Sequence, residues 1–258
     1  MDLEELSTFD FESKETWEQD WKTDDPEFHT NEVNAMLIKH HHEFTDGRNN
    51  LRILVPLCGK SLDMIWLADQ GHSVVGVELV RKGIELFFSD NKLTFSEKQV
   101  SVNGPLNSET QGTVFKAREK DISLYECSIF DFSAEVAGGQ FDCIWDRGSM
   151  TAINMMNEER IKQYRDITLA CLKPKGRYFL EFFAPESLEE MSTSFKFVSE
   201  KSLVDLFGER CAIRFLGKDQ MPGDVTGSDE QTGESCNEYV QNLAMSMHYY
   251  FMDIMRII

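Results

Sequence analysis

Four places in this 258-residue chain put reactive or glycine residues directly after a run of apolar residues. Leu51–Val55 (LRILV) is followed by Pro56-Leu57-Cys58-Gly59-Lys60. Ser73–Val77 (SVVGV) is followed by Glu78. Ile122–Cys127 is followed by Ser128-Ile129-Phe130-Asp131, and Phe141–Trp145 (FDCIW) by Asp146-Arg147-Gly148. Gly59 lets backbone approach a ligand closely. A carboxylate at the position of Glu78, 24 residues beyond Leu54, can accept both hydrogens of a ribose diol. Ser128 with Ile129 could hydrogen-bond and sandwich an adenine. Arg147 could face a substrate anion. Each has a plainer alternative: Glu78 as a surface carboxylate, Ile129 and Phe130 as core, Asp146 and Arg147 as a structural ion pair.

A dinucleotide carrier needs G-x-G-x-x-G after the first strand, to wrap its pyrophosphate. Residues 56–60 hold one glycine. A ligand with a ribose and no phosphate fits better, and S-adenosylmethionine is such a ligand.

These residues need a scaffold, and the pattern around them supplies one. Apolar β-branched runs alternate with helical stretches at 61–70 (Leu62, Ile65 and Trp66 inward) and 81–90, and Gly71 ends the first. This rhythm predicts a doubly wound α/β sheet, in which ligands bind beyond the carboxyl ends of the strands. Upstream, Val33, Met36, Leu37 and Phe44 share one face of a helix predicted over 31–44. Residues 91–112 read as a long loop, with Thr113–Ala117 and Ile122–Cys127 as a hairpin or the second as the next sheet strand. A helix is predicted over 157–172, with Ile161, Tyr164, Ile167 and Cys171 inward, then a strand over Gly176–Phe183. A helix over 200–207, a strand over Ala212–Leu216, a loop over 222–237 and a strand over 239–252 complete the chain.

Composition narrows the partners. Acidic residues outnumber basic ones 45 to 26, for a net charge of −19, which repels nucleic acid and anionic lipid. No apolar run approaches the ~20 residues of a membrane span. The acidic N-terminus resembles no signal or transit peptide, so a cytoplasmic protein is expected. The six cysteines form no CxxC pair and read as reduced, buried thiols. His40, His41 and His42 point about 100° apart on a helix and cannot share one metal, so no metal is expected. One domain spanning 1–258 and a monomer are expected.

PLCGK at 56–60, GHSVVGVE at 71–78, LYECSIFD at 124–131 and FDCIWDRG at 141–148 resemble the thiopurine S-methyltransferase family. The spacing Trp17…Trp21…Phe28-His29 resembles it too. The resemblance implies a class I methyltransferase fold, an α/β three-layer sandwich. Its sheet would have seven mostly parallel strands, the last one antiparallel. S-adenosylmethionine would be the cofactor and a small molecule the methyl acceptor. Trp17, Trp21 and Phe28, within an acidic segment 1–30, would form a lid over the cofactor. Leu57 and Gly59 would lie near its methionine part. Glu78, with Leu79 beside it, would bind the ribose, and Ser128 and Ile129 the adenine. Arg147 would touch both cofactor and substrate, with Asp146 and Arg147 as the catalytic pair. Phe28, Arg147 and Arg214 would line the substrate pocket.

Residues 184–197 (APESLEEMSTSFKF) depart from the Gly-Pro-Pro-Phe segment of that family, as do the 222–237 loop and the tail. The resemblance implies a thiol as acceptor, and these departures fit the alternatives of selenide, halide, hydroxyl or amine. A non-catalytic cofactor-binding protein is the remaining reading.

Overall fold

The computed structural model describes residues 10–23, 26, 28–103, 109–185, 198–208, 210–220 and 247–256. The predicted apolar runs become the central strands: β1 (Arg52–Val55), β2 (Ser73–Glu78), β5 (Ile122–Glu126), β6 (Phe141–Arg147) and β7 (Leu172–Pro185). Two more strands, β3 (Phe95–Asn103) and β4 (Glu109–Ala117), precede β5, and β8 (Cys211–Gln220) and β9 (Met247–Arg256) close the chain. Among the described residues these form one sheet in the order β3-β4-β5-β2-β1-β6-β7-β9-β8. Strands β5, β2, β1, β6 and β7 are mutually parallel, and β9 inserts antiparallel between β7 and β8. That is the expected seven-stranded core with its last strand antiparallel.

The remaining two strands correct the reading of 91–112 as a loop. β3 and β4 pair antiparallel from Phe95↔Ala117 to Asn103↔Glu109, and β4 then pairs antiparallel with β5. Both readings of 113–127 therefore hold at once. The polar sequence of β3 reflects an edge strand that buries little beyond Phe95, Val100 and Val102.

Side chains alternate across the pleat, which sorts the core into two layers. Ile53, Val55, Val74, Trp145 and Phe179 face α2 (Ala35–Lys39), α3 (His41–Thr45), α4 (Asp63–Asp69) and α5 (Arg81–Asp90). Leu54, Val75, Ile144, Tyr178 and Leu180 face α6 (Ser149–Met156), α7 (Glu158–Cys171) and α8 (Glu200–Phe207). Each fully buried Leu, Ile or Phe contributes about 1.5–3 kcal/mol to this arrangement.

Three helical expectations are corrected. The helix over 31–44 is two short helices that meet at His40, which caps the first and starts the second. On α4 the buried positions are Asp63, Met64 and Leu67, while Leu62, Ile65 and Trp66 are only half-buried. Trp66 instead packs edge-on against His41 at the rim of that layer. Helix α6 was not predicted; it buries Met150 and Ile153. The predicted α7 face is observed, with Ile161, Tyr164 and Cys171 buried and Ile167 packed beside them. Five of the cysteines are buried free thiols, and Cys236 lies outside the described residues, as does the 222–237 segment. Among the described residues, no helix is long and apolar enough to cross a membrane.

Candidate active site

The chain order reverses beside β1, with β2 and β5 on one side and β6 and β7 on the other. A crevice opens at the carboxyl ends of the strands at such a switch point. The residues after β1, β2, β5 and β6 converge there.

The turn after β1 is tight. Leu57 (φ +43°) and Gly59 (φ +48°) both lie in the left-handed region, and the Cys58 amide donates to the Val77 carbonyl at 2.9 Å. This turn presents the Gly59 amide to Glu78, which accepts from it at 2.9 Å and from the Val80 amide at 2.8 Å. Glu78 is buried, and burial pushes its carboxyl up to about 7, against the lowering pull of the Val80, Gly59 and Leu79 amides. Two ionised oxygens offer about four lone-pair sites, so these amides leave acceptor capacity for a further donor. The Cys127 amide donates to the Glu78 carbonyl at 3.1 Å and ties the next strand end alongside. There Ser128 caps a 3-10 turn over Ile129–Asp131 through the Phe130 amide, and Ile129 is buried in the core layer.

Helix α1 (Lys14–Asp20), capped by Ser13, crosses over these ends. Lys14 Nζ lies 4.0 Å from Glu126 Oε1 at the end of β5. Glu12 pairs with Arg160 of α7 at 3.1 Å and anchors the segment on its far side. Trp17 and Trp21 each meet the Phe28 ring edge-on, at centroid distances of 5.8 and 5.4 Å. Trp21 is 2% exposed and lies on Gly59 and on Gly83 of α5. Three expected lid aromatics thus form one cluster, set on the turn that carries Leu57 and Gly59.

Asp146 and Arg147 part company. Adjacent strand residues point to opposite faces of a sheet. Asp146 is fully buried beneath it, accepting from the Tyr164 hydroxyl at 2.7 Å, the Tyr178 hydroxyl at 2.5 Å and the Met150 amide at 3.1 Å. A carboxylate so enclosed ties α6 and α7 to the sheet, and these three partners are all internal. Arg147 faces the crevice. Its Nε lies 3.4 Å from Glu181 Oε1 and its Nη1 3.9 Å from Asp63 Oδ2, and it donates to Thr30 Oγ1.

Arg214 is not brought to Arg147. The register Trp145↔Phe179↔Asp253↔Arg214 sets it three strands away. At ~4.8 Å per strand that is about 14 Å. It pairs with Asp253 at 3.0 Å, beside the 2.6 Å pair of Arg177 with the same carboxylate. The buried Asp253 on the neighbouring strand holds one edge of its guanidinium, and the side chain is 56% exposed.

Four residues of the crevice were not singled out from sequence: Thr30, Asn34, Asp63 and Glu181. Asp63 is fully buried and accepts from Trp145 Nε1 and from the Asn34 amide, both at 2.8 Å. The Asn34 side chain caps α2 and also donates to Glu181. Glu181 was detectable as the lone acidic residue inside the largely apolar strand GRYFLEFF.

A model of the family described as thiopurine S-methyltransferase matches residues 12–245. The chain belongs to the thiopurine S-methyltransferase family. The thiopurine S-methyltransferase of Mus musculus is 37% identical over 202 residues, 78% of this chain and 80% of its own. That of Canis lupus familiaris is 38% identical over 204 residues, 79% of each. S-adenosylmethionine is the methyl donor of this family. The fold is also that of the N-methyltransferase NodS from Bradyrhizobium japonicum, solved with S-adenosylhomocysteine. That match has a TM-score of 0.56 at 12% identity and covers 94% of this chain and 97% of NodS. A Burkholderia thailandensis 1,6-didemethyltoxoflavin N1-methyltransferase matches at a TM-score of 0.51 and 17% identity, covering 97% of this chain and 87% of that one. The buried Glu78 and the glycine turn beneath Trp21 suit a family that binds a nucleoside without a pyrophosphate.

Proposed function

We propose that this family member transfers the methyl group of S-adenosylmethionine to the sulfur of a small thiol. The observation that carries the reading is Glu78, buried at the end of β2, ionisable near neutrality and aligned by the Gly59 and Val80 amides. Glu78 would accept the ribose hydroxyls, with Leu79 beside it. Leu57 and Gly59 would hold the methionine part, and Ser128 and Ile129 the adenine. When bound, S-adenosylmethionine supplies an electrophilic methyl on a sulfonium.

The protein's own contribution is alignment and exclusion of water. Orienting two reactants can supply up to ~7–11 kcal/mol of a barrier. Trp17, Trp21 and Phe28 would close segment 1–30 over the crevice as its lid. Phe28, 45% exposed, and Arg147, with a side chain 19% exposed, flank the remaining entry and would meet the acceptor. One domain acting as a cytoplasmic monomer, with no nucleic-acid or membrane partner, completes the reading. The net charge of −19 supports the absence of nucleic acid.

Calorimetry with S-adenosylmethionine and S-adenosylhomocysteine on the wild type and Glu78→Ala tests the cofactor half. A loss of about 10- to 100-fold in affinity is expected, as for removing hydrogen bonds to a charged group. Wild-type protein that binds neither compound would sink the reading.

A further inference from the structure

Arg147 carries one positive charge and is flanked by two buried carboxylates. Glu181 is 4% exposed and Asp63 fully buried. Asp63 is committed on both oxygens, to Trp145 and the Asn34 amide. Glu181 receives the Asn34 side chain on one oxygen, and its other oxygen faces Arg147 Nε at a loose 3.4 Å. No other cation contacts this group among the described residues: the next cations along the sheet, Arg177 and Arg214, are taken by Asp253. The cluster therefore holds net charge −1 before any acceptor arrives. The donor's sulfonium, once bound, only brings this total to zero, so an acceptor that arrived as an anion would leave an excess buried negative charge, which is costly. An acceptor that arrives neutral and leaves its proton behind has no such penalty.

We propose that Glu181 is the base of the reaction, and that the acceptor is a neutral thiol that reaches the crevice protonated. This rests on the thiol-methylation reading above. As the thiol binds beside Arg147, its S–H proton passes to the facing oxygen of Glu181. Arg147 then exchanges the carboxylate it neutralised for the new thiolate. The thiolate lone pair forms the new S–C bond while the donor's sulfonium–methyl bond breaks and its electron pair stays on the donor sulfur. Neutral thioether, neutral S-adenosylhomocysteine and protonated Glu181 result, and Glu181 returns its proton to water as product leaves. Burial raises the Glu181 carboxyl, and Asp63 adds to the rise, while Arg147 and Asn34 oppose it. It is thus a better proton acceptor than an exposed glutamate.

The test compares 2-mercaptoethanol, protonated at neutral pH, with 4-nitrothiophenol, already ionised there, on the wild type and Glu181→Gln. For 2-mercaptoethanol the variant is expected to lose about 100-fold or more in kcat, the usual worth of a positioned base. Its residual rate should climb with pH as the thiol ionises in solution. For 4-nitrothiophenol its KM should fall about tenfold, because a like charge has been removed. This crossover of preference is not the signature of a merely structural glutamate. An equal loss on both thiols overturns the proposal. If Glu181→Gln does not fold, the wild type decides. Its complex with S-adenosylhomocysteine, mixed with 2-mercaptoethanol at pH 7, should show thiolate ultraviolet absorption, and a spectrum without it overturns the proposal. A wild type that binds S-adenosylmethionine yet methylates neither thiol overturns the thiol reading itself, a different outcome from an active wild type without crossover.

Discussion

The Trp21 indole lies so close to Gly83 that a Cβ built on the glycine would come within 2.8 Å of the ring. Gly83 sits in the first turn of α5, where alanine would ordinarily add about 0.5–1 kcal/mol. Here Gly83→Ala is expected to cost about 1–3 kcal/mol, the usual penalty for overpacking. In a Trp21→Ala background the same change should become neutral or stabilising. Denaturant unfolding of the four proteins of this cycle measures the coupling, and additive effects would show that the ring does not rest on α5.

Glu78 sets a pH dependence on cofactor binding. Its carboxyl lies at about 7 in the folded protein, and only the ionised form accepts both ribose hydroxyls. Affinity for S-adenosylhomocysteine should therefore fall as pH drops through 7. The effect on stability runs the other way. A carboxyl raised above its unfolded value of ~4.3 holds its proton more tightly when folded, so its stabilisation is present below that value and is lost as pH rises to about 7. Calorimetry and thermal unfolding between pH 5 and 8 read the two slopes, and Glu78→Gln should flatten both.

A histidine pair gives the opposite trend. His41 Nε2 lies 3.0 Å from His72 Nε2, and His72 Nδ1 accepts from the Leu51 amide at 3.2 Å. His72 must therefore carry its proton on Nε2 and His41 must accept it. Burial lowers both values, with His42 adding to the effect on His41 and His41 to that on His72. The unfolded chain binds these protons more readily, so stability should fall as pH drops through ~6.5. His72→Asn should reduce that dependence in thermal melts.

Asp146 should prove structural. Asp146→Ala leaves the buried hydroxyls of Tyr164 and Tyr178 without their shared acceptor. Each such loss costs about 1–3 kcal/mol. Unfolding should report this, while S-adenosylhomocysteine affinity at a temperature where the variant is folded changes little. A variant of normal stability with lost affinity would return Asp146 to the site.

The parallel core was legible because Leu51–Val55, Ser73–Val77 and Phe141–Trp145 are largely buried and read as apolar runs with one polar residue each. β3 was not, since an edge strand such as FSEKQVSVN spends half its residues on solvent. The convergence of Gly59, Glu78, Ser128 and Arg147 was legible because each stands at the carboxyl end of a strand. The meeting of Asp63, Asn34 and Glu181 was not, because it is long-range: 147 residues separate Asn34 from Glu181. Asp146 and Arg147 are neighbours in sequence, but the pleat sends their side chains to opposite faces of the sheet.

The β3–β4 hairpin has a consequence for how the protein behaves in a crowd. Without it, β5 would be the rim of the sheet, and its open ladder of amides and carbonyls would invite a strand from another molecule. The hairpin moves that rim outward by two strands, to one dotted with Glu97 and Lys98. Charged rims discourage edge-to-edge association. Arg81 clasps Glu97 at 2.6 Å and covers the Phe115 ring at 4.8 Å, fastening this guard to the helix behind it. Cutting the hairpin away should leave a chain that folds but precipitates.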